Sequence, residues 1–240
     1  MKNPYIAGLD SQVPDPALRT TEQLLHLSGK NLGNFMFCSS VRRFVVTQTR
    51  TRKQGIDLEV VARECDGIII PAANWLQPKS DFSAMAAQIE QANVPTVILG
   101  LGAQAANNGQ IPELKPGMVR FVKAIADRCD SISVRGPFSA EVLNHYGIKN
   151  VTVTGCPSLL WHMNHSAMVK RLPPPGQVTR IVTAATLPNL PEVPKVDDKR
   201  MRLARLMLGE SIRNGYDHVA QAEISMIQAS RGELPATDPA

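Results

Sequence analysis

The sequence predicts an α/β fold, a parallel sheet with helices on both faces, followed by an incomplete second α/β domain. Three observations carry that prediction. Strand-like and helix-like segments alternate along most of the first 160 residues. The run GIIIP, Gly67 to Pro71, is apolar without polar alternation, as expected of a strand covered on both faces. Ser131 to Leu160 reads as strand, turn, helix, turn, strand and a second turn. Alternation of this kind is the pattern of a parallel sheet.

Taken in order, residues 1–20 are rich in Pro and Asp and predict an extended lead-in. Thr21 to Ser28 reads as the first strand, running into GKNLGN, Gly29 to Asn34. Phe35 to Phe44 is amphipathic, Phe44 to Gln48 reads as a second strand, and Thr49 to Gly55 is a basic surface loop. Ile56 to Glu64 fits a helix, and the GIIIP strand then ends in Ala-Ala-Asn74. Phe82, Met85, Ala86 and Ile89 fall at helical spacing, as do Met118, Phe121, Val122 and Ile125. Between them, Pro95 to Leu99 leads into GLGAQA, Gly100 to Ala105.

The best-defined unit comes next. Ile132 to Val134 is a short strand closed by Arg135 and Gly136. Pro137 suits the first helical position, where a missing N–H costs nothing. Phe138, Val142 and Tyr146 recur at helical spacing, and Gly147 stands where a left-handed residue stops a helix. Val151 to Thr154 is β-branched, and Gly155, Cys156, Pro157 and Ser158 form a tight turn. The proline run 173–175 with Gly176 marks a linker, which divides the chain into domains at residues 1–170 and 177–240. In the second, Gln177 to Ala184 begins a fresh strand and Asp198 to Asn214 is a basic helix.

Composition narrows the function. A net charge of +5 suits an anionic ligand, and 5% aromatic residues give no stacking platform for nucleic-acid bases. The four cysteines are scattered without C-x-x-C spacing, which points away from zinc and redox motifs and toward reduced thiols in a cytoplasmic protein. No apolar run is long enough for a membrane span, so a soluble chain is expected.

Candidate site residues cluster at strand-to-helix turns. Ligands of open parallel sheets bind outside the carboxyl ends of the strands. Arg135 lies at such an end, immediately before a helix N-terminus, where a guanidinium can grip phosphate or carboxylate. The bland alternative is a surface ion pair or a cap on a neighbouring helix. GKNLGN, as a turn between strand and helix, suits a phosphate cradle, or else a plain turn in which Gly33 permits close packing. GLGAQA matches a dinucleotide fingerprint but opens into a proline-containing loop rather than a helix, so a crevice-lining loop is the better reading. His162 and His165 are three apart, without a third metal ligand nearby.

GKNLGN, PTVILGLGAQ, SVRGPFSAEVL and VTVTGCPSL together resemble the polysaccharide pyruvyltransferase family over roughly Gly29 to Leu160. The resemblance implies a GT-B-like pair of Rossmann-like domains facing across a cleft. It implies transfer of the enolpyruvyl unit of phosphoenolpyruvate to two hydroxyls of a sugar, forming a cyclic ketal and releasing phosphate. The acceptor would be a sugar of an exopolysaccharide or cell-surface glycan, or a lipid-linked oligosaccharide. No cofactor or metal is implied beyond phosphoenolpyruvate as donor substrate, and a homo-oligomer is compatible with the reading. By resemblance Arg135 grips the donor, and Asn31, Asn34 and Gln104 offer amides to sugar or donor oxygens. Gly33, Asn74, Gly102, Gly155 and Ser158 complete the substrate-binding candidates. The family's Ser-x-Arg-x-His-type block, which supplies the presumed acid, is not found after Leu160, so no catalytic residue is assigned. The alternatives are a catalytically incomplete domain binding phosphoenolpyruvate or sugar, and a GT-B glycosyltransferase using a nucleotide sugar.

Overall fold

The computed structural model describes residues 1–9, 13–45, 55–105, 109–161, 174, 176–178, 180–184, 198–219, 227–228 and 231–232. The chain divides into two units, Met1–Val13 with Asn34–Met168, and Pro14–Gly33 with Val169–Ala240.

The first unit is built on short parallel strands. β1 (Tyr5–Ile6), β2 (Ile68–Pro71) and β3 (Thr96–Leu99) form one sheet in that order, with Tyr5 opposite Ile68 and Ile68 opposite Thr96. β4 (Ile132–Val134) pairs in parallel with β5 (Val151–Val153). A parallel bridge between Leu101 and Val134 joins the two groups beyond the end of β3. There Leu101 donates to the Ser133 carbonyl at 3.0 Å and Arg135 donates its backbone N–H to the Leu101 carbonyl at 3.0 Å.

One continuous core lies on a single face of these strands. Ile68, Ile70, Ile98, Ile132 and Val134 are fully buried in it. They meet Val61 from α3 (Leu58–Glu64), Ala86 and Ile89 from α4 (Ser83–Ala92), Met118, Phe121 and Ile125 from α5 (Pro116–Ala126), and Val142 and Leu143 from α6 (Pro137–His145). Ile98 and Leu101 both reach this core, although three residues apart on a strand they should face opposite ways. Gly100, with φ +72°, breaks the alternation between them. Ile6 shares the opposite face with its register partner Ile69. α2 (Gly33–Phe44) buries Phe37, Cys38 and Val41 apart from the main core. Burial pushes the Cys38 thiol up to about 11.

The second unit contains α1 (Thr21–Leu27) and a β6–α7–β7 crossover: Val182–Thr183, Asp198–Asn214 and Asp217–His218, with the two strands parallel.

Four sequence expectations are corrected. Thr21 to Ser28 is a helix rather than a strand. Thr20 caps it by accepting the Gln23 N–H, while the Gln23 side chain accepts the Thr20 N–H, a reciprocal capping box. The first strand lies instead in the expected lead-in, where Tyr5 and Ile6 are fully buried. GKNLGN therefore joins two helices, so the strand-to-helix phosphate cradle expected there is not formed. Likewise Phe44 closes α2 rather than opening a strand, and residues 46–48 of that expected strand lie outside the described residues. The basic loop up to Gln54, the His162/His165 pair, and Pro173 and Pro175 of the proline linker also lie outside them.

Candidate functional site

The carboxyl ends of β2, β3, β4 and β5 bring several expected residues together. Arg135 leaves the end of β4, and its side chain runs back across the sheet edge. Its Nε donates to the Gly100 carbonyl beyond β3 at 2.8 Å, and Nη2 donates to the Ala72 carbonyl beyond β2 at 2.8 Å. Nη1 lies 3.5 Å from Asn74 Oδ1. The guanidinium carbon lies over the Phe37 ring of α2, 5.4 Å from the ring centroid. A guanidinium has five N–H groups, so Nη1 and Nη2 each keep one. Among the described residues no carboxylate forms an ion pair with Arg135. The surface-pair alternative is therefore not what these residues show, and the carbonyls that Arg135 meets, those of Gly100 and Ala72, belong to no helix end, so it does not cap a neighbouring helix either.

The glycines make this crossing possible. A Cβ on Gly102 would stand 2.2 Å from Asn74 Oδ1 and 3.1 Å from Arg135 Cδ. A Cβ on Gly100 would stand 2.4 Å from Pro157 Cδ in the turn after β5. The G-x-G spacing of GLGAQA thus admits neighbouring side chains at the sheet edge, and α5 begins only at Pro116, consistent with a loop rather than a nucleotide-binding turn.

Other contacts fix the loops around Arg135. Gly102 donates to the Ala73 carbonyl at 2.9 Å, and Gln104 donates its backbone N–H to the Leu76 carbonyl at 3.1 Å. The Ser139 hydroxyl, in the first turn of α6, accepts the Ala103 N–H at 3.0 Å. The Ser133 hydroxyl accepts the Gly100 N–H at 3.0 Å and also pairs with the Thr154 hydroxyl. Gly155, with φ +89°, donates to the Val134 carbonyl at 3.2 Å. Ser158 Oγ donates to Cys156 Sγ at 3.1 Å in the short 3-10 helix Pro157–Leu160.

Asn74, Gly102 and Arg135 are in direct apposition, while Gly155 and Ser158 belong to the turn whose Pro157 presses on Gly100. The Gln104 side chain is exposed at the rim. Asn34 lies in the first turn of α2, three residues before Phe37. Asn31 and Gly33 fall in the second unit, where Asn31 Oδ1 accepts the Gly33 N–H at 2.8 Å. Sequence reasoning missed Phe37, Ser133 and Ser139. Phe37 offered only an apolar position in an amphipathic helix, and Ser139 was visible within SVRGPFSAEVL without a role.

In the second unit, Thr183 and His218 are register partners at the ends of β6 and β7. Thr183 Oγ1 lies 3.1 Å from His218 Nδ1 and 2.6 Å from the Ser211 hydroxyl. Among the described residues no group of three or more His, Cys, Asp or Glu side chains is arranged to hold a metal ion, and no helix is long and apolar enough to cross a membrane.

A parallel α/β scaffold with an arginine held across its carboxyl edge defines the class to which these observations assign the chain. Its family follows from comparison: the model of the polysaccharide pyruvyl transferase family matches residues 11–219, and the chain belongs to that transferase family. No curated protein and no solved structure matches it.

Proposed function

We propose that this protein transfers a pyruvyl group from phosphoenolpyruvate to a sugar of an exopolysaccharide or cell-surface glycan. The observation that carries the proposal is the Arg135 guanidinium. Carbonyl oxygens hold it at the sheet edge, it has no carboxylate partner among the described residues, and it retains N–H groups on both terminal nitrogens. Phosphoenolpyruvate carries a phosphate and a carboxylate, and either matches the planar fork of an arginine. Asn74 stands beside the fork as an amide for donor or sugar oxygens. In this reading the two units are the Rossmann-like halves of a GT-B-like enzyme.

The chemistry balances without an oxidant. A proton adds to the methylene carbon of the donor, which becomes a methyl group. The oxocarbenium-like centre left at the neighbouring carbon is attacked by one sugar hydroxyl and then, as the phosphate C–O bond breaks, by a second. Of the two hydroxyl protons released, one replaces the proton given to carbon and the other leaves with phosphate. Such a sequence requires a general acid and a general base. Arg135 contributes donor binding and stabilisation of the leaving phosphate, not proton transfer.

Titration calorimetry with phosphoenolpyruvate and with nucleotide sugars tests this reading. Phosphoenolpyruvate binding that is lost in Arg135→Ala supports it. Tight nucleotide-sugar binding with no response to phosphoenolpyruvate would establish a glycosyltransferase instead. Donor binding without turnover would identify a binding domain.

A further inference from the structure

We propose that Phe37 is a positioning residue of this donor site, acting on the ligand only through Arg135; the inference rests on the reading of Arg135 given above. The two short hydrogen bonds of the guanidinium, to the Gly100 and Ala72 carbonyls, fix it within its own plane but leave tilting out of that plane weakly opposed. The guanidinium carbon sits over the Phe37 ring at 5.4 Å from its centroid, within the range of a cation–π contact that opposes such tilting. An anion is left the unused N–H groups of the fork.

The ring is itself immobilised. Phe37 is 7% exposed, and the next residue on α2, Cys38, is 1% exposed. The Cys38 sulfur lies 3.5 Å from the position a Cβ on Gly8 would take, so α2 is seated against the chain leaving β1. Pro71, the residue before Ala72, has its Cγ 3.1 Å from that same Cβ position on Gly8. Phe37 and the Ala72 carbonyl are thus anchored to a common piece of backbone. The guanidinium between them is pre-oriented before any ligand arrives, which lowers the ordering cost of binding.

The test compares Phe37→Leu, which removes the π face while keeping apolar bulk, with Phe37→Tyr, which restores it. Titration with phosphoenolpyruvate should show about 3–10-fold weaker binding for Phe37→Leu and near-native binding for Phe37→Tyr. Melting temperatures read alongside identify any unfolded variant, with Phe37→Met replacing Phe37→Leu if the latter does not fold. A second measurement needs no ligand. The Arg135 Nε–H resonance, assigned by its loss in Arg135→Lys, should exchange with solvent faster in Phe37→Leu than in the native protein. Equal affinity and equal exchange in folded Phe37→Leu would overturn the role of Phe37 while leaving that of Arg135 standing. Failure of the native protein to bind phosphoenolpyruvate would overturn the donor reading and this inference with it.

Discussion

Replacing Arg135 by alanine removes a cation and also strips a hydrogen bond from each of the Gly100 and Ala72 carbonyls. The expected result is loss of phosphoenolpyruvate affinity by tenfold or more together with a stability loss of about 1–3 kcal/mol, read by calorimetry and urea unfolding. Arg135→Lys keeps the charge but cannot bridge two carbonyls with a planar fork, so it should recover little of either. The two glycines beside it should separate these effects. Gly100→Ala meets Pro157 at a left-handed backbone position, and a cost of about 1–3 kcal/mol is expected in urea unfolding. At Gly102 the added methyl meets chiefly the movable end of the exposed Asn74 side chain. Gly102→Ala should therefore weaken donor binding in calorimetry more than it lowers the unfolding midpoint. None of this crossing was legible in the sequence. Arg135 could be placed at a strand end, but its reach over β3 to β2 depends on two glycines and a proline that meet only in the fold.

Helix termini carry the clearest link from sequence to structure. Pro137 begins α6, and after its last turn Gly147, with φ +83°, donates to the Asn144 carbonyl while Ile148 donates to the Leu143 carbonyl, both as the Pro and Gly positions implied. Gly147→Ala should cost about 1 kcal/mol in urea unfolding. The same kind of signal, Thr20-x-x-Gln23, stands before α1, but the Leu and Thr residues beside it suit a strand as well as a helix. β1 escaped because two residues are too few to display a period. Between α4 and α5 the contact is tight: a Cβ on Gly117 would lie 2.0 Å from Ser83 Oγ and 2.1 Å from Asp81 Oδ1. The Ser83 hydroxyl and N–H hold the Asp81 carboxyl below its usual range. A carboxylate depressed in the folded state adds stability above its unfolded pKa, and that stability is lost as pH falls through the folded value. Asp81→Asn should thus be less stable than the native chain near neutral pH, with the gap closing in acid. Urea unfolding across that range checks the sign, and a gap that widens in acid would refute it.

At the scale of the whole molecule, the alternation of segments foretold a parallel α/β protein, and four motif blocks pointed to the family that the match over residues 11–219 establishes. Three of those blocks, PTVILGLGAQ, SVRGPFSAEVL and VTVTGCPSL, were legible because turn residues at strand ends are tied to their positions by backbone geometry; GKNLGN joins two helices instead. Which groups each turn would meet was not, because Asn31 and Gly33 lie near Asn34 in sequence yet fall in the other unit. The central claim is that the chain uses phosphoenolpyruvate as a pyruvyl donor held by Arg135. The most direct measurement is phosphate release from phosphoenolpyruvate with a panel of sugar acceptors, run on the native chain and Arg135→Ala. Acceptor-dependent release by the native chain, abolished in Arg135→Ala while the fold persists, is the predicted result. Release that proceeds undiminished without Arg135, or an absence of both release and donor binding in the native chain, would contradict the account.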